Sequence, residues 1–337
     1  MSIFDTKPPT FDIDNLHLWL ENHYQIFKNN IIQSSRLNSE RDYNLKITTK
    51  NNKKFVVKIS NPYEKIENLE FQDDMLNFLK ESMISKYVPE TVHNVIEIIK
   101  DKENRECYLR ILSYLEGDIF GEQQKNVRLC NNLSKFIGNL SFSLKDFKHK
   151  SAHKKFIWDS SNINWIEDEL ELFSDSKKKD IIKMVLNSNQ YIKDNNINKI
   201  RYSIIHGDVN NYNIITKKEK IIGLLDYGDA IYAPTICELS VALAYALMNS
   251  SEIMEKCTYM VKGYHSIFPI NKIEIESIST LISARLAITV TMALKQKKKY
   301  PNNTYLTISE DNAWKLLYEL SDISLQSITK KLLAEIN

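Results

Sequence analysis

The chain has 337 residues, 43% hydrophobic and 26% charged, with a formal net charge of +2. Near-neutrality at this size argues against nucleic acid or an anionic membrane as a partner, and the length suits two domains or one two-lobed domain. Cys107, Cys130, Cys237 and Cys257 stand far apart without Cys/His ligand spacing, so they read as reduced core thiols of a cytoplasmic protein.

No basic-then-apolar leader opens the chain, and no apolar run reads as long enough to span a bilayer. From Tyr43 to Ser60 the pattern has period two: "NLKITT" and "KFVVKIS" flank "KNNK", a hairpin with Asn-Asn in its turn. A helix follows, its apolar positions Phe71, Met75, Phe78, Leu79 and Ser82 recurring at steps of three and four. "NVIEIIKD" and "CYLRILSYL" read as two more strands joined by a polar turn. After Glu116-Gly117 the character changes. Cys130, Leu133, Ile137, Leu140, Leu144 and Phe147 form one stripe of a long amphipathic helix. Short strands return only around "SIIHGDVNNYNIITKKEKIIGLLDYGD", and from Thr235 the chain is helical, with Trp314, Leu317 and Leu320 on a late stripe. The lysine runs 177–179 and 297–299 fall at predicted helix ends, as solvated faces. An α+β chain is therefore expected, with a β-rich N-terminal lobe (1–115) and a larger helical lobe (116–337).

The chemistry is concentrated in that late β segment. Asp208 follows His206-Gly207 at the end of a strand, and Asn213 lies five positions on. One short loop thus brings a carboxylate to an attacking hydroxyl and an amide oxygen to a metal ion. Asp226 ends the next apolar strand ahead of Tyr227-Gly228, where its carboxylate supplies a second ligand for Mg²⁺. Turn-capping Asp and Asn residues are common, and each position alone has that simpler reading. The joint pattern of type, order and context favours phosphoryl transfer. His206 reads as a structural residue of the loop.

Upstream, Lys58 stands mid-strand beside Val56 and Val57, where an ammonium is costly unless the strand lines a cleft. An exposed edge strand is the alternative. Gln72 on the following helix occupies the position expected to hold Lys58, with Glu70 as the acidic alternative. The chain contains no G-x-G-x-x-G and no G-x-x-x-x-G-K-[ST]. In their place stands a polar turn, with Ser39, Glu40, Arg41, Asp42 and Asn44 in or beside it. It either presents N–H groups to phosphates or is a charged hairpin tip.

With those residues placed, the chain resembles the aminoglycoside phosphotransferase/choline kinase superfamily of two-lobed, protein-kinase-like folds, through "HGDVNNYN" and "LLDYGD". Within it the chain looks most like the hydroxylysine kinase family. That closer likeness adds "SERDYNLKI", "FVVKISNP", "LEFQDDMLNFL", "YLRILSYLEG", "KKFIWD", "APTICELSVALAYALM" and "ARLAITVTMAL", in order along nearly the whole chain. The resemblance implies Asp208 as catalytic base, Asn213 and Asp226 as magnesium ligands, and Lys58 on the nucleotide phosphates. It implies backbone contacts to the purine near Ser113 and Leu115. Gln72 departs from the Glu usual in kinases, which puts the partner of Lys58 in doubt.

The implied reaction is transfer of the γ-phosphoryl group of GTP or ATP to 5-hydroxy-L-lysine or a related hydroxy-amine. A kinase for choline, ethanolamine, homoserine or an aminoglycoside is the alternative, and a non-catalytic nucleotide-binding module a more distant one. For the acceptor, Asp229 and Glu238 are candidate partners of an ammonium, Arg285 of a carboxylate and Trp158 of an amine through its ring. Glu238 and Arg285 have a second reading as ion-pair partners between helices, and Trp158 as a core residue.

Overall fold

The computed structural model describes residues 6–39, 41–195, 197–299, 309–323 and 325–336. The chain divides into two compact units, Met1–Glu116 and Gly117–Asn337.

The first unit is an antiparallel five-stranded sheet in the order β1-β2-β3-β5-β4, made of β1 (Ile31–Leu37), β2 (Tyr43–Thr49), β3 (Lys54–Ile59), β4 (Glu97–Lys100) and β5 (Glu106–Ser113). The β2–β3 hairpin forms as its alternation dictates, with Asn52 in the left-handed region at φ 60°. Leu45, Ile47, Val57, Ile59, Leu109 and Ile111 point to one face and close over Leu16 and Leu20 of α1 (Ile13–His23), all essentially inaccessible to solvent. Period two then forces Lys58 and Arg110, paired across β3 and β5, onto the other face. There Arg110 reaches α2 (Ile66–Lys80). The stripe of α2 is Leu69, Phe71, Gln72, Met75, Leu76 and Leu79; Phe78 stays 39% exposed and Ser82 lies past the helix end, where its hydroxyl donates to the Leu79 carbonyl.

The second unit carries β6 (Asp118–Ile119), α3 (Val127–Leu144), α4 (Ser176–Asn195), β7 (Tyr202–Ile205), β8 (Ile214–Lys217), β9 (Lys220–Leu224) and β10 (Ile231–Pro234), followed by α5 (Ile236–Leu247), α6 (Ile253–His265), α7 (Lys272–Lys299), α8 (Glu310–Ile323) and α9 (Leu325–Ile336). The stripe of α3 is buried as read, except that Phe147 lies beyond its end. Gly138 of α3 and Gly263 of α6 permit close approach of these helices. A Cβ on Gly263 would stand 2.2 Å from Ser134 Oγ, and one on Gly138 would stand 3.1 Å from the Tyr264 carbonyl. The four cysteines are free and buried. One expectation fails. Helix α7 holds an 18-residue window of mean hydropathy 1.5, long and apolar enough to cross a bilayer, yet 94% of that window is buried inside the protein, as in a core helix.

Candidate active site

Two strand pairs of the second unit frame the site. Strand β7 pairs antiparallel with β10 through Ile205 and Ile231, so His206-Gly207-Asp208 leaves β7 beside the segment that enters β10. The β8–β9 hairpin pairs Ile214 with Leu224, which sets Asn213 opposite Leu225, one residue before Asp226. The Leu225 N–H donates to the Asn213 carbonyl at 2.8 Å. Gly207 sits at φ +77°, and a Cβ there would meet the Asp229 carbonyl oxygen at 2.9 Å. Both the backbone angle and the space demand glycine. Asp226 is itself left-handed at φ 60°, a conformation that Asp tolerates better than most residues.

His206 is fully buried and serves as a bracket. Its Nδ1 accepts from the Asp208 N–H (3.3 Å), so its Nε2 carries the hydrogen and donates to the Leu225 carbonyl (3.0 Å). Burial lowers its pKa and keeps it neutral, against the opposing pull of Asp208 and Asp226.

The structure brings Asp208 and Asn213 together directly. Asn213 Nδ2 donates to the Asp208 carbonyl (2.9 Å) and to its Oδ2 (2.8 Å), and Asn210 Nδ2 donates to the same Oδ2 (2.8 Å). With its nitrogen so committed, Asn213 has its amide oxygen left to offer. Asp226 is exposed and carries a hard carboxylate. An amide oxygen and a carboxylate suit a hard divalent cation.

Three expectations for the acceptor pocket need correction. Glu238 does not face an acceptor: it is fully buried on α5, where its Oε2 accepts from the His206 N–H (2.5 Å) and its Oε1 from the Gly207 N–H (3.2 Å). Desolvation lifts its pKa to about 7 despite those two N–H groups. Arg285 of α7 is 1% exposed, and its Nη2 donates to Asp208 Oδ1 at 2.5 Å. A guanidinium so placed is not open to a substrate carboxylate. Nor does it pair with Glu238; each holds a different part of the same loop. Trp158 does make a cation–π contact, but the cation is Arg285, whose Cζ lies 4.7 Å from the ring centroid. Asp229, half-buried, follows Asp226 by three residues.

In the first unit, Lys58 is half-buried on the α2 face of the sheet. The amide oxygen of Gln72 is taken by Arg110 Nη2 (2.6 Å), and Glu70 is exposed. Asp73 is an acidic group that feels the Lys58 charge, and it also accepts from Arg110 Nη1 (2.7 Å). Burial pushes the Asp73 carboxyl up, while Arg110 and then Lys58 pull it down. Sequence periodicity favoured Gln72, one position away, because Arg110 could not be seen to compete for it.

The polar turn between β1 and β2 is braced. Ser39 Oγ accepts from the Asp42 N–H (3.1 Å), Asp42 Oδ1 from the Asn61 N–H (3.0 Å), and the Arg41 carbonyl from Asn61 Nδ2 (3.3 Å). Glu40 lies outside the described residues. At the end of β5, the Ser113 N–H and Oγ are both bonded to Glu90, so that N–H is not open to a purine. Leu115 lies two residues on, half-buried and outside any strand.

Comparison with known proteins gives a family match and a set of relatives. Residues 35–254 match the family described as "Phosphotransferase enzyme family". Hydroxylysine kinase from Mus musculus is 23% identical over 304 residues, 84% of this chain and 81% of that protein. Among solved structures, a microcompartment-associated aminopropanol kinase superposes with a TM-score of 0.67 at 13% identity, covering 94% of this chain and 99% of that one. Amicoumacin kinase in complex with AMP-PNP, Ca²⁺ and Ami superposes with a TM-score of 0.64 at 15% identity, covering 90% and 96%. The fold is protein-kinase-like, with an antiparallel N-terminal sheet and a helical C-terminal unit. The chain belongs to the phosphotransferase enzyme family and is a small-molecule kinase with an alcohol group as acceptor.

Proposed function

We propose that the chain transfers the γ-phosphoryl group of GTP or ATP to the hydroxyl of a hydroxylated amino acid, with 5-hydroxy-L-lysine as the best fit. The observation that carries this reading is the likeness to a hydroxylysine kinase across 84% of the chain, on a loop that already joins Asp208 to Asn213. Asp208 orients the acceptor hydroxyl and takes its proton late, as the phosphoryl group departs. Lys58, opposed by Asp73, neutralises the nucleotide phosphates. Asn213 and Asp226 would hold Mg²⁺, which when bound offsets the charge of the triphosphate. Asp229 is the acidic group assigned to the acceptor's ammonium.

A second reading, a carboxylate-free amino alcohol as acceptor, is favoured by the commitment of Arg285 to Asp208. The two are separated by initial rates on 5-hydroxylysine, 1,5-diaminopentan-2-ol, ethanolamine, choline, homoserine and an aminoglycoside, each with GTP and with ATP. The amino-acid reading expects the highest kcat/KM on 5-hydroxylysine. Turnover confined to acceptors lacking a carboxylate would replace it with the second.

A further inference from the structure

We propose that Arg285 is a positioning residue for Asp208 rather than a group that binds the acceptor; the proposal rests on the reading of Asp208 as the base. Arg285 is the largest fully buried side chain described in the molecule. A buried guanidinium is strongly unfavourable unless its charge is met. Its other hydrogen bonds are long: Nη1 reaches the carbonyls of Trp158 (3.3 Å) and Gly207 (3.4 Å), and Nη2 the Tyr245 hydroxyl (3.4 Å). Its Nε has no partner. The one short, charge-assisted bond is to Asp208 Oδ1. The rings of Trp158 and Tyr245, at 4.7 and 5.5 Å from Cζ, restrict where the guanidinium can go.

The consequence concerns the acceptor geometry of Asp208. An ionised carboxylate offers about four lone-pair positions. Arg285 occupies one on Oδ1, while Asn210 and Asn213 occupy the two on Oδ2. One position on Oδ1 is left, and an incoming hydroxyl has a single line of approach. Loss of Arg285 frees the carboxylate to rotate, which lowers turnover of every acceptor alike. A carboxylate clamp would instead act on the KM of carboxylate-bearing acceptors alone.

The test is steady-state kinetics of Arg285→Lys, Arg285→Met and Asp208→Asn on 5-hydroxylysine, on 1,5-diaminopentan-2-ol, and on water as nucleotide hydrolysis. Nucleotide-induced thermal shift confirms a folded chain in each case. Removing a preorganising charge should lower kcat of Arg285→Met by roughly 100-fold on all acceptors with KM within about 3-fold, and Arg285→Lys should recover roughly tenfold of that loss. A rise in KM on 5-hydroxylysine alone, with kcat intact, would overturn the proposal, as would full kcat in Arg285→Lys and Arg285→Met. If Arg285→Met does not fold, Arg285→Lys decides: a uniform fall in kcat supports positioning, and an unchanged kcat refutes it. If Asp208→Asn keeps full activity, the base reading itself fails; if it is inactive while the Arg285 variants are not, only the positioning role fails.

Discussion

Each unit buries one arginine against an aspartate, and the two pairs do different work. In the first unit Arg110 spends its bonds on α2, reaching the Leu69 carbonyl, Gln72 and Asp73, so it fastens a helix to a sheet. In the second unit Arg285 makes its short bond to the side chain proposed to meet the acceptor. One device organises architecture; the other, on the proposed role of Asp208, a reacting group. Burial of an ion pair therefore says nothing by itself about which kind it is; the other bonds of each partner decide it.

That contrast sets the order of expected effects. The largest falls on Asp208. Its replacement by Asn should lower kcat by about 1,000-fold or more and leave nucleotide affinity nearly unchanged, as rapid-quench assays and nucleotide titration would show. Next is the pH dependence written into Glu238. Burial raises its pKa from 4.5 to about 7, so the folded chain keeps a proton that the unfolded chain releases. Stability should be greatest below pH 4.5 as far as this group is concerned, and fall by about 2–3 kcal/mol as pH rises to about 7. Denaturant unfolding from pH 5 to 7.5 should show that slope, and Glu238→Gln should flatten it. Third, Arg110→Met should destabilise the protein by about 3 kcal/mol, because Asp73 is left without its close partner. Its kcat should fall far less than that of Arg285→Met; an equal loss would erase the distinction between the pairs. The smallest effect separates neighbours on α2. Gln72→Ala should cost about 1 kcal/mol of stability with nucleotide KM within about 2-fold, whereas Asp73→Asn should raise that KM by roughly 5-fold. The reverse ranking would return Gln72 to the role of holding Lys58.

The placement of the candidate residues was legible because they are local in sequence. Asp208, Asn213 and Asp226 lie on one strand-loop-hairpin segment whose turns and alternation are written in adjacent residues. The β2–β3 hairpin and the stripe of α3 were readable for the same reason. Helix α1 was missed although Asp12 caps it through the Asn15 N–H, since only Leu16 and Leu20 mark its buried face. Strand β1 was missed because it is an edge strand whose "QSSR" centre has no apolar alternation. The tasks of Glu238 and Arg285 were out of reach for a different reason. A charge in an apolar helix signals a buried partner, but nothing in the sequence names one 77 residues away for Arg285, or backbone groups 31 and 32 residues away for Glu238.

That separation also has a meaning in the time of synthesis. Asp208 is made 77 residues before the arginine that holds it. At ribosomal rates of about 5–20 residues per second, Asp208 waits roughly 4–15 s for its partner to be polymerised, and longer for α7 to clear the exit tunnel. A nascent chain halted in that interval has Asp208, Asn213 and Asp226 yet lacks the guanidinium that bonds the first of them. On the proposed role of Arg285, competence for turnover is then acquired late and at one point in translation, when the core helix of the second unit docks.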